Sequence, residues 1–232
     1  MGLILNIETA TNICSVVLAK DSKVVAIRES GEDKSHASKL TLFIEEILKE
    51  QKLEISQLDA IAVSKGPGSY TGLRIGVSAA KGLCYGGDVK MISVNTLLSM
   101  ATVAGIKLKN SSSETHLLCP MIDARRMEVY TAFYDQQLNE IVPTKAEIIE
   151  KGSFGSLLEQ QAIYFFGNGA EKCMDLIAHP NSRFVKDIEA SALGMVAHSE
   201  HALLNNSFEN VAYFEPYYLK DFIATTPKKK LF

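Results

Sequence analysis

At Gly66-Pro67-Gly68-Ser69-Tyr70-Thr71-Gly72-Leu73-Arg74-Ile75-Gly76 the chain passes from an apolar, strand-like segment into a helix rich in small residues. The pattern predicts the strand over Leu58 to Val63 and the helix from about Thr71 to Tyr85. The first two glycines of the run can adopt positive φ on either side of the rigid proline between them, which permits a tight turn.

This turn has two interpretations. Backbone amides near Ser69 and Thr71 could face an anion at the helix N-terminus, with Gly68 allowing close approach. Either hydroxyl could instead cap the helix. The run lacks the Gly-Lys-Ser/Thr of a phosphate-binding P-loop. We therefore favour a turn and an interface over a phosphate cradle.

The helix after the turn carries a stripe of small residues. Gly72, Gly76 and Ala80 lie four residues apart and so share one helix face that is nearly bare of side chains. Such a face lets another backbone approach closely. It could pack on the sheet of its own lobe or against a second protein, and the residue pattern alone does not distinguish the two.

Composition limits the class of protein. The 232 residues are 47% hydrophobic, enough to form one large domain or two half-size lobes. With 24 Lys and Arg against 27 Asp and Glu, the net charge is −3, which gives no general electrostatic case for gripping nucleic acid unaided. No apolar run approaches the roughly 18 residues of a membrane span, and the N-terminus does not resemble a signal peptide. We expect a cytoplasmic protein without membrane contact.

The cysteines point to the same compartment. They are widely separated and fit neither a Cys-x-x-Cys site nor a small disulfide framework. We expect buried thiols at all four positions: Cys14, Cys84, Cys119 and Cys173.

The chain contains two weakly similar units. Each begins with three strands joined by short turns and carries an acid at its first bend, Glu8 in one unit and Asp123 in the other. The strands are expected at Leu3–Ile7, Ile13–Leu18, Val24–Arg28, His116–Ile122, Met127–Tyr134 and Leu138–Val142. A polar segment, Lys107 to Glu114, separates the units, which places an N-terminal lobe at residues 1–106 and a C-terminal lobe at residues 107–232.

Helical patterns follow each set of strands. Apolar residues recur at helical spacing from Leu40 to Leu48 behind Ser35, a candidate N-cap. In the second unit Thr144 to Glu150 is helix-like, and Ser191 to Leu204 predicts an Ala-rich helix. A strand meander followed by helix, strand and helix, written twice, is typical of the actin-like ATPase and sugar-kinase (ASKHA) fold. We therefore predict an α/β protein with two lobes of ribonuclease-H-like topology.

The sequence resembles one family within this fold. Ile4–Thr11, Gly66–Gly76 and Ile122–Tyr130 resemble, in order and spacing, the signature segments of the bacterial TsaB family, formerly called YeaZ. Gly167–Ala170 and Pro216–Leu219 resemble later landmarks of that family. The resemblance covers essentially the whole chain.

The resemblance implies a function. TsaB proteins are dimerisation subunits of the machinery that installs threonylcarbamoyl on the adenosine next to the tRNA anticodon, together with the paralogous catalytic subunit TsaD and the ATPase TsaE. We therefore expect a non-catalytic partner and activator of a TsaD-like subunit that forms a homodimer when alone and reaches tRNA only through the complex. The chain is expected to bind no cofactor by itself, while ATP or ADP is a candidate ligand at the joint of the complex.

The resemblance also implies where the partner binds. In the family the first two helices form the surface that pairs with a second copy or with TsaD. Carried onto this sequence, that surface comprises His36, Leu40, Phe43, Ile47, Gly72, Arg74, Gly76 and Ala80.

An alternative function uses the first bend. In actin-like kinases a carboxylate at this hairpin organises Mg²⁺ and phosphate, and an adjacent threonine binds phosphate oxygens. Glu8 and Thr9 occupy these places and, with Gly68, Ser69 and Thr71, would form the nucleotide or anion site of an autonomous phosphohydrolase. The family pattern usually has Asp where this chain has Glu8. A hairpin acid satisfied by backbone amides is the competing interpretation.

Asp123 lies close in sequence to Arg125 and Arg126. This group could be an anion site or a structural ion pair, since arginines bind phosphates and carboxylates equally well. We favour the ion pair.

The sequence predicts no metal site and no catalytic residue. TsaD-like proteins carry a His-x-x-x-His pair, and the corresponding region here has only His36. His198 and His201 are three residues apart but have no third ligand nearby, so we expect them to be surface or packing residues. The Lys228–Lys230 run is a basic tail, usually solvated, that could touch tRNA backbone weakly.

Overall fold

The computed structural model of the protein describes residues 2–31, 36–109 and 114–220. Three sequence features lie outside the described residues: the candidate N-cap Ser35, residues 110–113 of the polar segment, and the Lys228–Lys230 tail.

The first sheet has five strands in the order β3-β2-β1-β4-β5. Their bounds are β1 (Leu3–Glu8), β2 (Cys14–Lys20), β3 (Lys23–Ser30), β4 (Ala60–Gly66) and β5 (Lys90–Asn95). The first three strands pair antiparallel, whereas β4 and β5 run parallel to β1. Asp21 and Ser22, both at positive φ, form the tight turn between β2 and β3.

The second sheet repeats this arrangement. Its strands are β6 (His116–Asp123), β7 (Glu128–Tyr134), β8 (Glu140–Ile148), β9 (Ala162–Phe166) and β10 (Ser182–Phe184). They lie in the order β8-β7-β6-β9-β10, again with an antiparallel meander followed by two parallel strands. The same strand order in both halves confirms the predicted two-lobed, actin-like α/β fold.

One predicted helix of the second lobe is wrong. Thr144 to Glu150 was expected to be helix-like, but most of this segment belongs to β8, which continues to Ile148. Antiparallel pairing with β7 extends from Glu140 to Ile148 and satisfies the backbone groups that a helix would have paired internally.

Within the described residues, five helices cover the sheets: α1 (His36–Gln51), α2 (Tyr70–Gly87), α3 (Thr96–Leu108), α4 (Gly155–Leu158) and α5 (Val196–Leu204). α1 and α2 pack on one face of the first sheet. α1 inserts Leu40, Ile44 and Ile47 into a core that also contains Leu5 and Ile7 of β1.

Residues 192–208 cover the opposite face of the first sheet. A 3-10 turn over Ala192–Met195 and then α5 pack against a cluster that includes Ile4 and Val17. The backbone amide of Ala192 donates to Oγ of Ser15 at 3.1 Å. Residues assigned by sequence to the second lobe therefore cover the first sheet, while α3 packs on the second. The proposed lobe boundary at residue 107 lies near the end of α3 and stays a prediction.

The four cysteines are buried and form no disulfide, as predicted. In the described part of the chain, no helix combines the length and the hydropathy that crossing a membrane requires.

Candidate functional site

The α2 N-terminus is capped from within the chain. Oγ of Ser69 accepts a hydrogen bond from the amide of Gly72 at 3.2 Å, and the amide of Ser69 donates to the carbonyl oxygen of Ala10 at 2.6 Å. The capping interpretation of Ser69 is thereby confirmed. Thr71, the other candidate cap, is exposed.

The small-residue stripe of α2 faces the inside of its own lobe. A Cβ at Gly72 would lie well inside 3.0 Å of the carbonyl oxygen of Thr9, and one at Gly76 equally close to Oγ1 of Thr9. Ala80 is fully buried in the core. The expectation that this stripe faces a partner is wrong, because α2 crosses directly over the turn that follows β1.

Two of the predicted interface positions on α1 are also buried. Leu40 and Ile47 belong to the core between α1 and the sheet. The family resemblance placed them on a partner surface, whereas in this structure their side chains pack in the core between α1 and the first sheet. Only three of the eight predicted interface residues remain accessible in the described chain: His36, Phe43 and Arg74.

These three residues differ in their contacts. Nε2 of His36 lies 2.8 Å from the carbonyl oxygen of Thr11, and Phe43 is half-buried at the edge of the core. The guanidinium of Arg74 lies 4.0 Å from the ring centroid of Tyr70. Arg74 is thus already engaged at the α2 N-terminus.

A second small-residue stripe of α2 is exposed. Ser78, Gly82 and Gly86 are also four apart and point to solvent. Among the described residues, no atom lies within 4 Å of where a Cβ would stand at Gly82 or Gly86. Two apolar side chains of the same two helices are also exposed: Leu42 of α1 is 49% exposed and Tyr85 of α2 is 88% exposed.

We call this surface the α1–α2 outer face: Leu42, Phe43, Ser78, Gly82, Tyr85 and Gly86. Sequence reasoning missed it, although its spacing signal equals that of the buried stripe. α2 carries small residues on both sides, and their spacing alone does not tell which stripe faces outward.

Glu8 lies at the end of β1 and is fully buried. Its Oε1 accepts hydrogen bonds from the amide of Ala10 at 2.6 Å and from Oγ of Ser64 at 2.8 Å. Its Oε2 has no hydrogen-bond partner among the described residues. Burial raises the pKa of the Glu8 carboxyl to about 7, because the charged form loses its hydration, and these hydrogen bonds lower it only in part.

Thr9 is equally inaccessible. It is fully buried, and its hydroxyl donates to the carbonyl oxygen of Gly72 at 2.8 Å. The expectation that Glu8 and Thr9 offer oxygen atoms to Mg²⁺ and phosphate is therefore wrong for this conformation. The competing interpretation, a hairpin acid satisfied by backbone amides, holds only in part, because Oε1 accepts one backbone amide and a hydroxyl of β4 while Oε2 has no hydrogen-bond partner among the described residues.

The second bend acid pairs with a lysine instead of an arginine. Asp123 forms an ion pair with Lys172 and accepts the backbone amide of Arg125 at 3.0 Å. Lys172 also donates to the carbonyl oxygens of Arg126 and Glu128. The expected ion pair between Asp123 and the arginines is therefore wrong, since Lys172 occupies the carboxylate.

A cleft of about 460 Å³ lies between the start of α2 and the β6–β7 hairpin, and its outer wall is the segment Tyr217–Lys220. Gly68 lines it, but Glu8, Thr9, Ser69 and Thr71 do not. The Lys220 ammonium pairs with the Glu128 carboxylate, and both residues line the cleft.

No group of three or more His, Cys, Asp or Glu residues is placed to share a metal ion within residues 2–31, 36–109 and 114–220. His198 packs against α3, with Nε2 at 2.7 Å from Oγ1 of Thr102, and His201 lies 3.1 Å from the side-chain amide of Asn205. His198 thus has a packing role and His201 lies at the surface, the two roles expected for these residues.

The fold and the site together define a two-lobed protein of the actin-like class. Its Glu8, the acid at the bend of the first hairpin, is buried. A family model described as TsaD, tRNA N6-adenosine threonylcarbamoyltransferase, matches residues 30–228. The chain belongs to the TsaD family, on its TsaB (YeaZ) branch.

Curated relatives carry the name tRNA threonylcarbamoyladenosine biosynthesis protein TsaB. The Escherichia coli K12 relative is 38% identical over 138 residues, 60% of this chain and 57% of the relative. The Bacillus subtilis 168 relative is 32% identical over 143 residues, 60% of this chain and 59% of the relative. The chain thus spans somewhat more than half the length of these relatives.

A solved structure shares the fold. YeaZ from Pseudomonas aeruginosa superposes with a TM-score of 0.79 at 22% sequence identity, covering 94% of this chain and all of that chain.

Proposed function

We propose that this chain is the non-catalytic partner and activator of a TsaD-like catalytic subunit in the formation of threonylcarbamoyladenosine next to the tRNA anticodon. The observation that carries this proposal is the family match over residues 30–228, which extends through both lobes. Relatives named for threonylcarbamoyladenosine biosynthesis support it. The proposed setting is the cytoplasm, together with a TsaE-like ATPase, and tRNA is reached through the complex.

Two features support a role without catalysis. TsaD-like proteins bind their metal through a His-x-x-x-His pair, whereas the corresponding region of this chain has only His36, whose Nε2 lies beside the carbonyl oxygen of Thr11. The burial of Glu8 and Thr9 weighs against the alternative of an autonomous nucleotide phosphohydrolase. ATP or ADP at the joint with the partner remains part of the proposal.

We place the docking surface on the α1–α2 outer face. Gly82 and Gly86 would let a partner helix approach closely, because nothing stands where their side chains would be. Burial of a leucine such as Leu42 stabilises a complex by roughly 1–2 kcal/mol, given that about half of the side chain is already covered. The same face would pair with a second copy when the TsaD-like subunit is absent.

Co-purification with the TsaD-like subunit of the same organism tests this surface. Gly82→Arg adds a large cation in open space, so the fold is retained while docking is blocked. Gly105→Arg is the matched control, since Gly105 is also a helical glycine with open space around it, on α3. Gly76→Arg would be unsuitable, because its Cβ would collide with Thr9.

We expect Gly82→Arg to abolish co-purification and self-association in size-exclusion chromatography, with Gly105→Arg unchanged in both. Circular dichroism should show both variants folded. An unimpaired complex with Gly82→Arg would contradict the docking surface. Transfer of threonylcarbamoyl to tRNA by this chain alone would contradict the non-catalytic role.

A further inference from the structure

Residues 209–220 run from the first sheet to the second, and we call this segment the strap. It begins on β5, which lies at one edge of the first sheet. The backbone amide of Glu209 donates to the carbonyl oxygen of Met91 at 2.8 Å, in an isolated antiparallel bridge. Oγ of Ser93 donates to Oε1 of Glu209 at 2.5 Å. The first end of the strap is thus bonded to the sheet by its main chain and by a side chain.

The middle of the strap lies on α2. Nζ of Lys81 donates to the carbonyl oxygens of Ala212 and Phe214 at 3.1 and 3.0 Å. Val211 and Phe214 also pack against the core that α1, α2 and the first sheet share. Hydrogen bonds from a charged donor are stronger than those between neutral groups, and apolar burial adds to them. The middle of the strap is therefore firmly held on α2.

The strap then passes the turn that precedes α2. The backbone amide of Tyr217 donates to the carbonyl oxygen of Lys65 at 2.7 Å. Gly66 permits this approach, because a Cβ there would lie 2.9 Å from the carbonyl oxygen of Tyr217. The rings of Tyr218 and Tyr70 pack with centroids 4.7 Å apart. Each of these contacts fastens the strap to the first sheet and to α2.

The far end of the strap reaches the second sheet. The Lys220 ammonium forms an ion pair with the carboxylate of Glu128, the first residue of β7. The Lys220 side chain is 39% exposed and the Glu128 side chain is 20% exposed. Ion pairs that water can reach contribute little to stability and are weakened by salt. The strap is therefore attached strongly to the first sheet and weakly to the second.

The two sheets are also joined at another place, by buried contacts. Oγ of Ser99, on α3, donates to the carbonyl oxygen of Ser191 at 3.0 Å. The next residue, Ala192, donates its amide to Oγ of Ser15 on β2 at 3.1 Å. α3 packs on the second sheet, whereas β2 belongs to the first. Residues 191–192 thus connect the sheets whether or not the ion pair of the strap is formed.

We propose that the strap is a clasp that holds the β6–β7 hairpin beside α2. While the Lys220–Glu128 ion pair is formed, the hairpin stays next to the α2 N-terminus. When the pair breaks, the strap stays on α2 and the second sheet moves away from it, with residues 191–192 keeping the sheets joined. Salt controls the clasp, because it screens the ion pair but leaves the backbone hydrogen bonds and apolar contacts of the strap in place.

Single-molecule energy transfer between the two sheets tests the clasp. Dyes are attached to Thr71→Cys on α2 and to Gln160→Cys after α4, both at exposed positions, while the four native thiols are buried. The test variant is Glu128→Gln, which removes the charge and keeps the size of the side chain. Glu147→Gln is the matched control, because Glu147 pairs with Lys145 within β8.

We expect Glu128→Gln to raise the ratio of molecules with the longer dye distance to those with the shorter one by about two- to fivefold at low ionic strength. About 1 M NaCl, where the Debye length is about 3 Å, should shift the unsubstituted chain similarly and leave Glu128→Gln unchanged. The charge exchange K220E/E128K should restore the original ratio. Glu147→Gln should behave as the unsubstituted chain does.

Hydrogen exchange distinguishes the clasp from a general loosening of the strap. Amide exchange over residues 210–216 should be equal in Glu128→Gln and the unsubstituted chain, because these residues stay on α2. A dye-distance ratio that responds neither to Glu128→Gln nor to salt, an equal shift in Glu147→Gln, or faster exchange over residues 210–216 would each overturn the proposal. These measurements use the chain alone, so their outcome does not depend on the proposed partnership with a TsaD-like subunit.

Discussion

The hydroxyl of Thr9 donates a hydrogen bond to the carbonyl oxygen of Gly72 at 2.8 Å, with both residues buried. This bond fastens the turn after β1 to the first turns of α2. Gly68 and Gly76 permit the approach, because a Cβ at either position would collide with Ala10 or Thr9. The glycines of the run that opens α2 therefore serve contact within the lobe.

Alanine at position 76 is expected to destabilise the fold. Gly76→Ala places a methyl group against Oγ1 of Thr9, and overpacking of this kind typically costs about 1–3 kcal/mol. Gly82→Ala, on the open side of the same helix, should stabilise by about 0.5–1 kcal/mol through helix propensity. Urea denaturation of both variants measures the difference, and a shift of the same sign in both would refute the assignment of inner and outer faces.

The Glu8 carboxyl should make stability depend on pH. Burial raises its pKa from 4.5 to about 7, so between these values the folded protein holds a proton that the unfolded chain releases. The free energy of unfolding should therefore fall as pH rises through this window and level off above it. The full loss is about 3 kcal/mol for such a shift.

Glu8→Gln isolates this contribution, because glutamine stays neutral throughout. We expect the stability of the unsubstituted protein relative to Glu8→Gln to decrease from about pH 4.5 to pH 7. Urea denaturation at several pH values provides the measurement. Parallel stability curves for the two proteins would show that the pKa of the Glu8 carboxyl is the same in the folded and the unfolded protein.

Lys81 should hold the C-terminal segment on α2. Its Nζ donates to the carbonyl oxygens of Ala212 and Phe214 at 3.1 and 3.0 Å. Lys81→Met removes both hydrogen bonds while keeping the aliphatic stem, so amide hydrogen exchange over residues 210–218 should accelerate. Lys49→Met, on the exposed side of α1, is the control. Unchanged exchange in Lys81→Met would mean that other contacts hold the segment.

Ser69 should contribute to stability as a helix cap. Ser69→Ala removes the acceptor of the Gly72 amide, a loss of about 1 kcal/mol for a typical N-cap. Thr71→Ala, two residues further on and exposed, should change thermal stability little. An equal loss in both variants would argue against a specific capping role for Ser69.

The sheets could be predicted from the sequence because most of their strands pair with neighbours that follow closely along the chain. Short turns join the first three strands of each sheet, and the bend acids Glu8 and Asp123 mark equivalent places in the two repeats. The inner face of α2 could not be predicted, since Gly76 and Gly82 belong to stripes with the same spacing on opposite sides. Spacing reports which residues share a face but not which face the sheet covers.

Contacts between residues far apart in the chain could not be predicted from the sequence either. Ser15 and Ser191 meet across 176 residues, and nothing in the composition of either segment indicates the pairing. The partner of Asp123 was missed for a similar reason: Lys172 is 49 residues away, whereas Arg125 and Arg126 are adjacent. Proximity along the chain favoured the wrong cation.

The return of Ala192 and α5 to the first sheet sets the order in which the molecule can be completed during translation. A ribosome releases the strands of the first sheet early, yet one apolar face of that sheet stays uncovered until the segment from Ala192 to Phe208 has emerged. The N-terminal lobe is thus the first to be synthesised and among the last to be finished. A messenger RNA truncated before this segment would yield a chain whose first sheet exposes an apolar face. Chaperones and proteases would bind such a chain.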